Sequence, residues 1–167
     1  MRPPLIAVLL LALLLVGCSA PDTDWTTVEA GPLRLERPTR WVALPTRGDV
    51  WTLAFAGDGV ELRIAPQFSE DPTAAAAFSR LDLPSTVGTL DDYTGGGVKQ
   101  FPVEGADTGV RGDLTYRDGA TTMRGIWVIA GQYPYPRTAA IALSGEQLPD
   151  ETVQRILGSL RFTKTNG

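Results

Sequence analysis

Two Asp-Gly pairs, Asp58-Gly59 and Asp118-Gly119, each sit between runs in which apolar and polar residues alternate. Asp-Gly readily adopts the left-handed backbone that a two-residue hairpin loop requires, so each pair marks a β-hairpin. At the first, a two-residue loop pairs Phe55 with Leu62 and Leu53 with Ile64, apolar on apolar along one face. At the second, the same loop pairs Val110 with Trp127 and Leu114 with Met123. Its other face sets Asp113 against Arg124 and Thr115 against Thr122, and Gly112 falls opposite Gly125. That glycine pair leaves a gap that accepts a helix side chain or marks a bend. Two hairpins of this kind commit the chain to a largely antiparallel sheet.

The remaining elements fit around them. Trp25 to Glu29 and Leu33 to Arg37 read as short strands about Ala30-Gly31-Pro32, and Thr138 to Leu143 as another. Val98 to Val103 reads as an edge strand, because Pro102 has no N–H to give a neighbour. Asp71-Pro72 offers an N-cap and a first-turn proline for a helix over 73–81, with Ala74, Phe78 and Leu81 on one face. Pro149-Asp150-Glu151 opens the second helix, where acids favour the positive end of the dipole. Its Val153, Ile156, Leu157 and Leu160 recur at i, i+3, i+4 and i+7, one stripe for a core. Residues 82–97 read as irregular, ending in Gly95-Gly96-Gly97. The sum is an α+β single domain, an antiparallel β-sheet with helices packed on it.

The N-terminus carries an address. Met1-Arg2-Pro3-Pro4 precedes twelve apolar residues, Leu5 to Val16, and then Gly17-Cys18. A basic start, a short apolar core and a small-residue junction make a secretory leader; a membrane span needs about 20 apolar residues. Leu15-Val16-Gly17-Cys18 resembles the lipobox of bacterial lipoproteins, which implies cleavage before Cys18 and lipid attachment to it. The competing reading is an ordinary leader with a chance cysteine. The chain thus divides into a leader (1–17), a lipidated cysteine and tether (18–24), a globular domain (25–163) and a tail (164–167). The six residues Ser19 to Asp24 reach roughly 20 Å at full extension, which holds the domain near the headgroups. The expected location is the extracytoplasmic face of a bacterial cell membrane.

Composition removes whole classes of chemistry. The chain has no histidine and one cysteine, which excludes Ser-His-Asp and Cys-His machinery and histidine metal sites. A net charge of −4 does not suit nucleic acid, whose phosphates demand clustered Lys and Arg. Adjacent acids such as Asp91-Asp92 and Glu70-Asp71 point apart in an extended segment, so they do not pair across a cleft as glycosidase carboxylates do. No cofactor and no metal are expected. The most suggestive segment is Tyr133-Pro134-Tyr135-Pro136-Arg137: two tyrosines on a stiff turn beside an arginine, a low-entropy recognition surface. The plainer reading is a strand connection whose rings cover the sheet end. Tyr93, in the Ser85 to Gly97 segment, is a further candidate contact, the plainer reading of that segment being a solvated connection. The four tryptophans read most simply as core residues, with Trp41 or Trp51 the candidates to line a lipid cavity.

The order of these pieces is familiar. A hairpin leads into Pro38-Thr39-Arg40-Trp41, then come long strands, a mid-chain helix and the Leu114-Thr115-Tyr116-Arg117-Asp118-Gly119 segment. A helix closes the chain, running into Ile156-Leu157-Gly158-Ser159-Leu160-Arg161-Phe162. This resembles the PsbP-like α/β/α sandwich shared by a photosystem II extrinsic protein and a Ran-binding nuclear transport factor. More closely it resembles the LpqN/LpqT-type lipoproteins of actinobacteria. The resemblance spans nearly the whole mature chain but carries no catalytic string. It implies a non-enzymatic accessory or binding subunit; with the short tether and the absent catalytic residues, the expectation is a module that binds another envelope protein. A carrier of a small apolar ligand or lipid, with a cavity of several hundred Å³, is the alternative, and an enzyme of unrecognised type comes third.

Overall fold

The computed structural model describes residues 24–46, 50–133 and 137–164. Residues 1–23, which hold the expected leader, Cys18 and most of the expected tether, lie outside them, as do Tyr135 and residues 165–167. In chain order the strands are β1 (Trp25–Ala30), β2 (Leu33–Pro38), β3 (Val42–Leu44), β4 (Leu53–Gly57) and β5 (Val60–Ser69). Helix α1 (Ala74–Pro84) and a wide turn, Ser85–Thr89, lead into β6 (Asp91–Gln100), β7 (Thr108–Asp118), β8 (Thr121–Gln132) and β9 (Arg137–Gly145). Helix α2 (Asp150–Ser159) and β10 (Arg161–Phe162) close the chain. The main sheet runs β3-β4-β5-β9-β8-β7-β6, and a small sheet runs β1-β2-β10. Every strand pairing in both sheets is antiparallel.

The first hairpin has the expected register, with Phe55 opposite Leu62 and Leu53 opposite Ile64. Asp58 and Gly59 both take positive φ (54° and 74°), as a type I′ loop requires. The second hairpin slips by two. Asp118 pairs with Thr121, so the loop is Gly119-Ala120, and Leu114 meets Gly125, Thr115 meets Arg124 and Tyr116 meets Met123. Gly119 (φ 58°) takes the one left-handed position of a II′-like loop, and Asp118 stays in the ladder. A slip of two keeps every side chain on its face, so the apolar pattern alone does not distinguish the two registers. Gly112 thus lies opposite Trp127 and not Gly125, yet the gap does accept a helix side chain. A Cβ on Gly112 would fall 2.3 Å from Cζ of Phe78, whose ring meets Trp127 edge-on at 5.7 Å.

Helix α1 starts later than the sequence suggests. Thr73, not Asp71, is the N-cap, accepting the Ala76 N–H at 3.1 Å, while Asp71 pairs with Arg80. The segment expected to be irregular instead forms most of edge strand β6, bulged between Asp91 and Thr94 and between Gly95 and Val98. Strand pairing uses the backbone, so Gly95 joins the ladder opposite Leu114 and Gly96 and Gly97 form the bulge, in a segment whose side-chain pattern announces no strand.

Each face of the main sheet has its own core. On one face Leu62, Ile64, Val128, Ile141 and Leu143 cluster with Val153, Ile156 and Leu157 of α2, and with Leu33, Leu35 and Phe162 of the small sheet. The expected stripe of α2 is buried in full, each large side chain contributing roughly 1.5–3 kcal/mol. On the other face Ala65, Val110, Trp127, Ile129 and Ala140 take Ala74, Ala77 and Phe78 of α1. Among the described residues, no helix is long and apolar enough to cross a membrane.

Candidate functional site

Helix α1 is too short for the strands it covers. Its 11 residues span about 16 Å, whereas the 12 residues of β8 span about 40 Å. Burial shows where cover ends. On the α1 face, Ala65, Ala140, Val110 and Leu114 are buried; farther along the same strands Arg63 is exposed and Ala142, Ser144 and Tyr116 are half-buried. The opposite face stays closed over the same stretch, with Leu62 and Leu143 buried.

The uncovered stretch is a groove of about 750 Å³, open to solvent. Tyr116, Met123, Trp127 and Arg63 form its floor, with Trp51 on one wall and Leu81, Ser85 and Leu90 on the other. It runs out at the ends of both hairpins, where Gly57, Gly59 and Asp118 line it. Tryptophan, tyrosine, methionine and arginine are the residue types most enriched where proteins bind one another. Arg63 is paired with Glu61, two positions away on the same strand, and Ser85 Oγ donates to the Leu81 carbonyl at 2.7 Å. Neither is arranged as a nucleophile with a base. Among the described residues no three Asp, Glu, Cys or His side chains are gathered to hold a metal ion.

The tyrosines singled out from sequence do not converge. Tyr133 is 65% exposed, with its N–H donated to Asp107 Oδ2 at 2.9 Å. Arg137 is exposed at the start of β9, paired with Gln132 across the β8–β9 turn. That turn lies at the end of the sheet away from the hairpin loops; Tyr135, within it, is outside the described residues. Tyr93 belongs to the α1 face. It stacks on Trp127 at 5.9 Å and donates its hydroxyl to Asp82 Oδ1 at 2.5 Å, tying β6 to α1. Trp41 is buried beneath Gly57 with Nε1 donated to Asp58 Oδ2 at 2.8 Å, away from the groove. Trp51 does line it. Tyr116, Met123 and Arg63 were not anticipated; alternation places them on the correct face, but nothing in the sequence says how far α1 reaches.

Burial, and then the hydrogen bond and charge of Asp82, push the Tyr93 hydroxyl well above its ordinary value of 10.0. A raised folded-state value contributes stability that is complete below pH 10 and is lost as pH rises through the folded value. Tyr93→Phe should therefore delete a late-ionising component from the phenolate absorbance titration and flatten the alkaline loss of stability. A titration identical to that of the wild type would show that Tyr93 is not held in this way.

No family model matches this chain, and no curated protein does. Solved structures do. One match is the crystal structure of the Saccharomyces cerevisiae Ran-binding protein Mog1p, with a TM-score of 0.52 and 11% identity, covering 84% of this chain and 96% of that one. At this identity the likeness is one of fold: an antiparallel sheet with helices on both faces, over nearly the whole of the other chain.

Proposed function

We propose that this protein is a lipid-anchored envelope lipoprotein whose domain is a non-enzymatic accessory module, binding another envelope protein in the α1-side groove. The observation that carries this reading is the groove itself. Trp51, Tyr116, Met123 and Arg63 line it over the buried Trp127, beside a helix that stops short, and among the described residues no catalytic constellation accompanies them. The leader and Cys18 support the location. The Mog1p description names a Ran-binding protein, which is consistent with use of this fold as a binding module and identifies no partner for this chain. Affinity capture of the full chain after crosslinking in cells should recover the same envelope protein in repeated experiments. Failure to recover any would end this reading.

The groove also has the volume of a small-molecule site and lies between helix and sheet, where a carrier would hold its ligand. Native mass spectrometry separates the two readings. Excess mass that extracts as a lipid or other apolar molecule favours the carrier; a clean mass leaves the protein partner.

A further inference from the structure

We propose that the end of the domain bearing Leu83 and Val87 rests on the bilayer surface, those two side chains dipping into the lipid boundary. This rests on the reading of Cys18 as the lipid anchor.

The chain enters the domain at that end. The Asp24 carbonyl accepts the Thr39 N–H at 2.8 Å, and the next residue, Arg40, pairs with Asp58 at 2.9 Å on the tip of the β4–β5 hairpin. The tether from Cys18 to Asp24 reaches roughly 20 Å at full extension. The hairpin tip is thus confined within a short distance of the membrane.

Helix α1 and the turn that follows it carry two apolar side chains toward that end, Leu83 in the last turn of the helix and Val87 beyond it. Its start is fixed at the far end of the sheet, where the Ala74 N–H donates to Thr108 Oγ1 at 3.0 Å and Thr108 pairs with Gly131. The helix therefore runs toward the hairpin ends, and the wide turn after it delivers the chain to Asp91, opposite Arg117. On that stretch Leu83 is 64% exposed and Val87 85%. Exposed aliphatic side chains at a turn have no headgroup to pair with, but they gain by entering the acyl boundary. Two of the nearby acids are tied within the domain, Asp92 to Arg117 at 3.7 Å and Asp82 to the Tyr93 hydroxyl, while Asp91 stays exposed at the start of β6. The insertion need not be strong, because the anchor already holds these residues at high effective concentration over the lipid. The groove, which runs out at the hairpin ends, then opens toward the membrane, and the Tyr133–Arg137 turn faces away.

The full chain, processed and acylated, is reconstituted into phosphatidylcholine–phosphatidylglycerol vesicles. Acylation blocks the Cys18 thiol, so Val87→Cys, and separately Leu83→Cys and Tyr133→Cys, each offers one site for an environment-sensitive fluorophore. Nitroxides on the lipid acyl chains should quench the label at 87 and at 83 by about twofold or more and leave the label at 133 unchanged. Protein that floats with the vesicles but shows no quenching at either 83 or 87 overturns the docking and leaves the anchor standing. Quenching at 133 instead reverses the orientation and overturns it too. A spectral shift at 87 without lipid quenching, growing with protein density, means that a second copy covers these residues. Protein that does not float overturns anchor and docking together.

Discussion

Cys18→Ala should move the protein from the membrane fraction to the soluble fraction, or leave a larger precursor with its leader uncut. The magnitudes make the effect large. An acyl chain contributes roughly 0.8 kcal/mol per buried CH₂, so two or three chains far exceed what the rest of the molecule offers. Leu83 and Val87 would supply at most about 1.5–3 kcal/mol each if fully buried. A chain of net charge −4 has no electrostatic hold on anionic lipid to add. Cell fractionation with immunoblotting reads both location and size. A Cys18→Ala protein that is still trimmed and still membrane-bound would contradict lipidation, and with it the placement of the groove.

Gly105→Ala should be the most damaging of the small substitutions in the domain. Gly105 has φ 85°, and a Cβ there would lie 1.9 Å from the backbone oxygen of Phe162. The segment around it ties the main sheet to the small one: the Phe162 N–H donates to the Glu104 carbonyl at 2.8 Å, and Arg161 pairs with Glu104 at 2.7 Å. Left-handed strain on a non-glycine residue costs of order 1 kcal/mol, and displacing packed backbone roughly 1–3 more. A loss of about 3 kcal/mol lowers the melting temperature of a domain this size by roughly 6–12 °C. Gly119→Ala is the control. Its φ is 58°, but nothing lies within 4 Å of the added Cβ, so only the strain remains. Calorimetry should rank Gly105→Ala well below Gly119→Ala; equal melting temperatures would mean that the link between the sheets is slack.

Both hairpins, the α2 stripe and the α+β class were legible in the sequence because each depends on local rules: turn chemistry, a period of 2 and a period of 3.6. The slip to Gly119-Ala120 was not legible, since Asp118-Gly119 and Gly119-Ala120 are both acceptable two-residue loops and both keep the apolar face inward. Strand β6 was hidden because Gly95 pairs through its backbone and Gly96 and Gly97 lie in a bulge, with no side-chain pattern to mark the strand. The cap on α1 was misplaced because Asp71 and Thr73 are both good caps, and the Arg80 pairing takes Asp71. The site was harder to read than the fold. Tyr133 and Arg137 stood out as a motif, whereas Tyr116, Met123 and Arg63 form a surface only because α1 ends where it does. That end is a tertiary fact, and a pattern search along the chain does not see it.

The most direct measurement is site-specific photocrosslinking in cells from two positions of the full chain. A photoreactive phenylalanine analogue at Tyr116 lies on the groove floor, and one at Tyr133 lies on the far turn. The groove reading predicts a reproducible envelope-protein adduct from position 116 and none from 133. An adduct from 133 with none from 116 would contradict it and make the far turn the working surface.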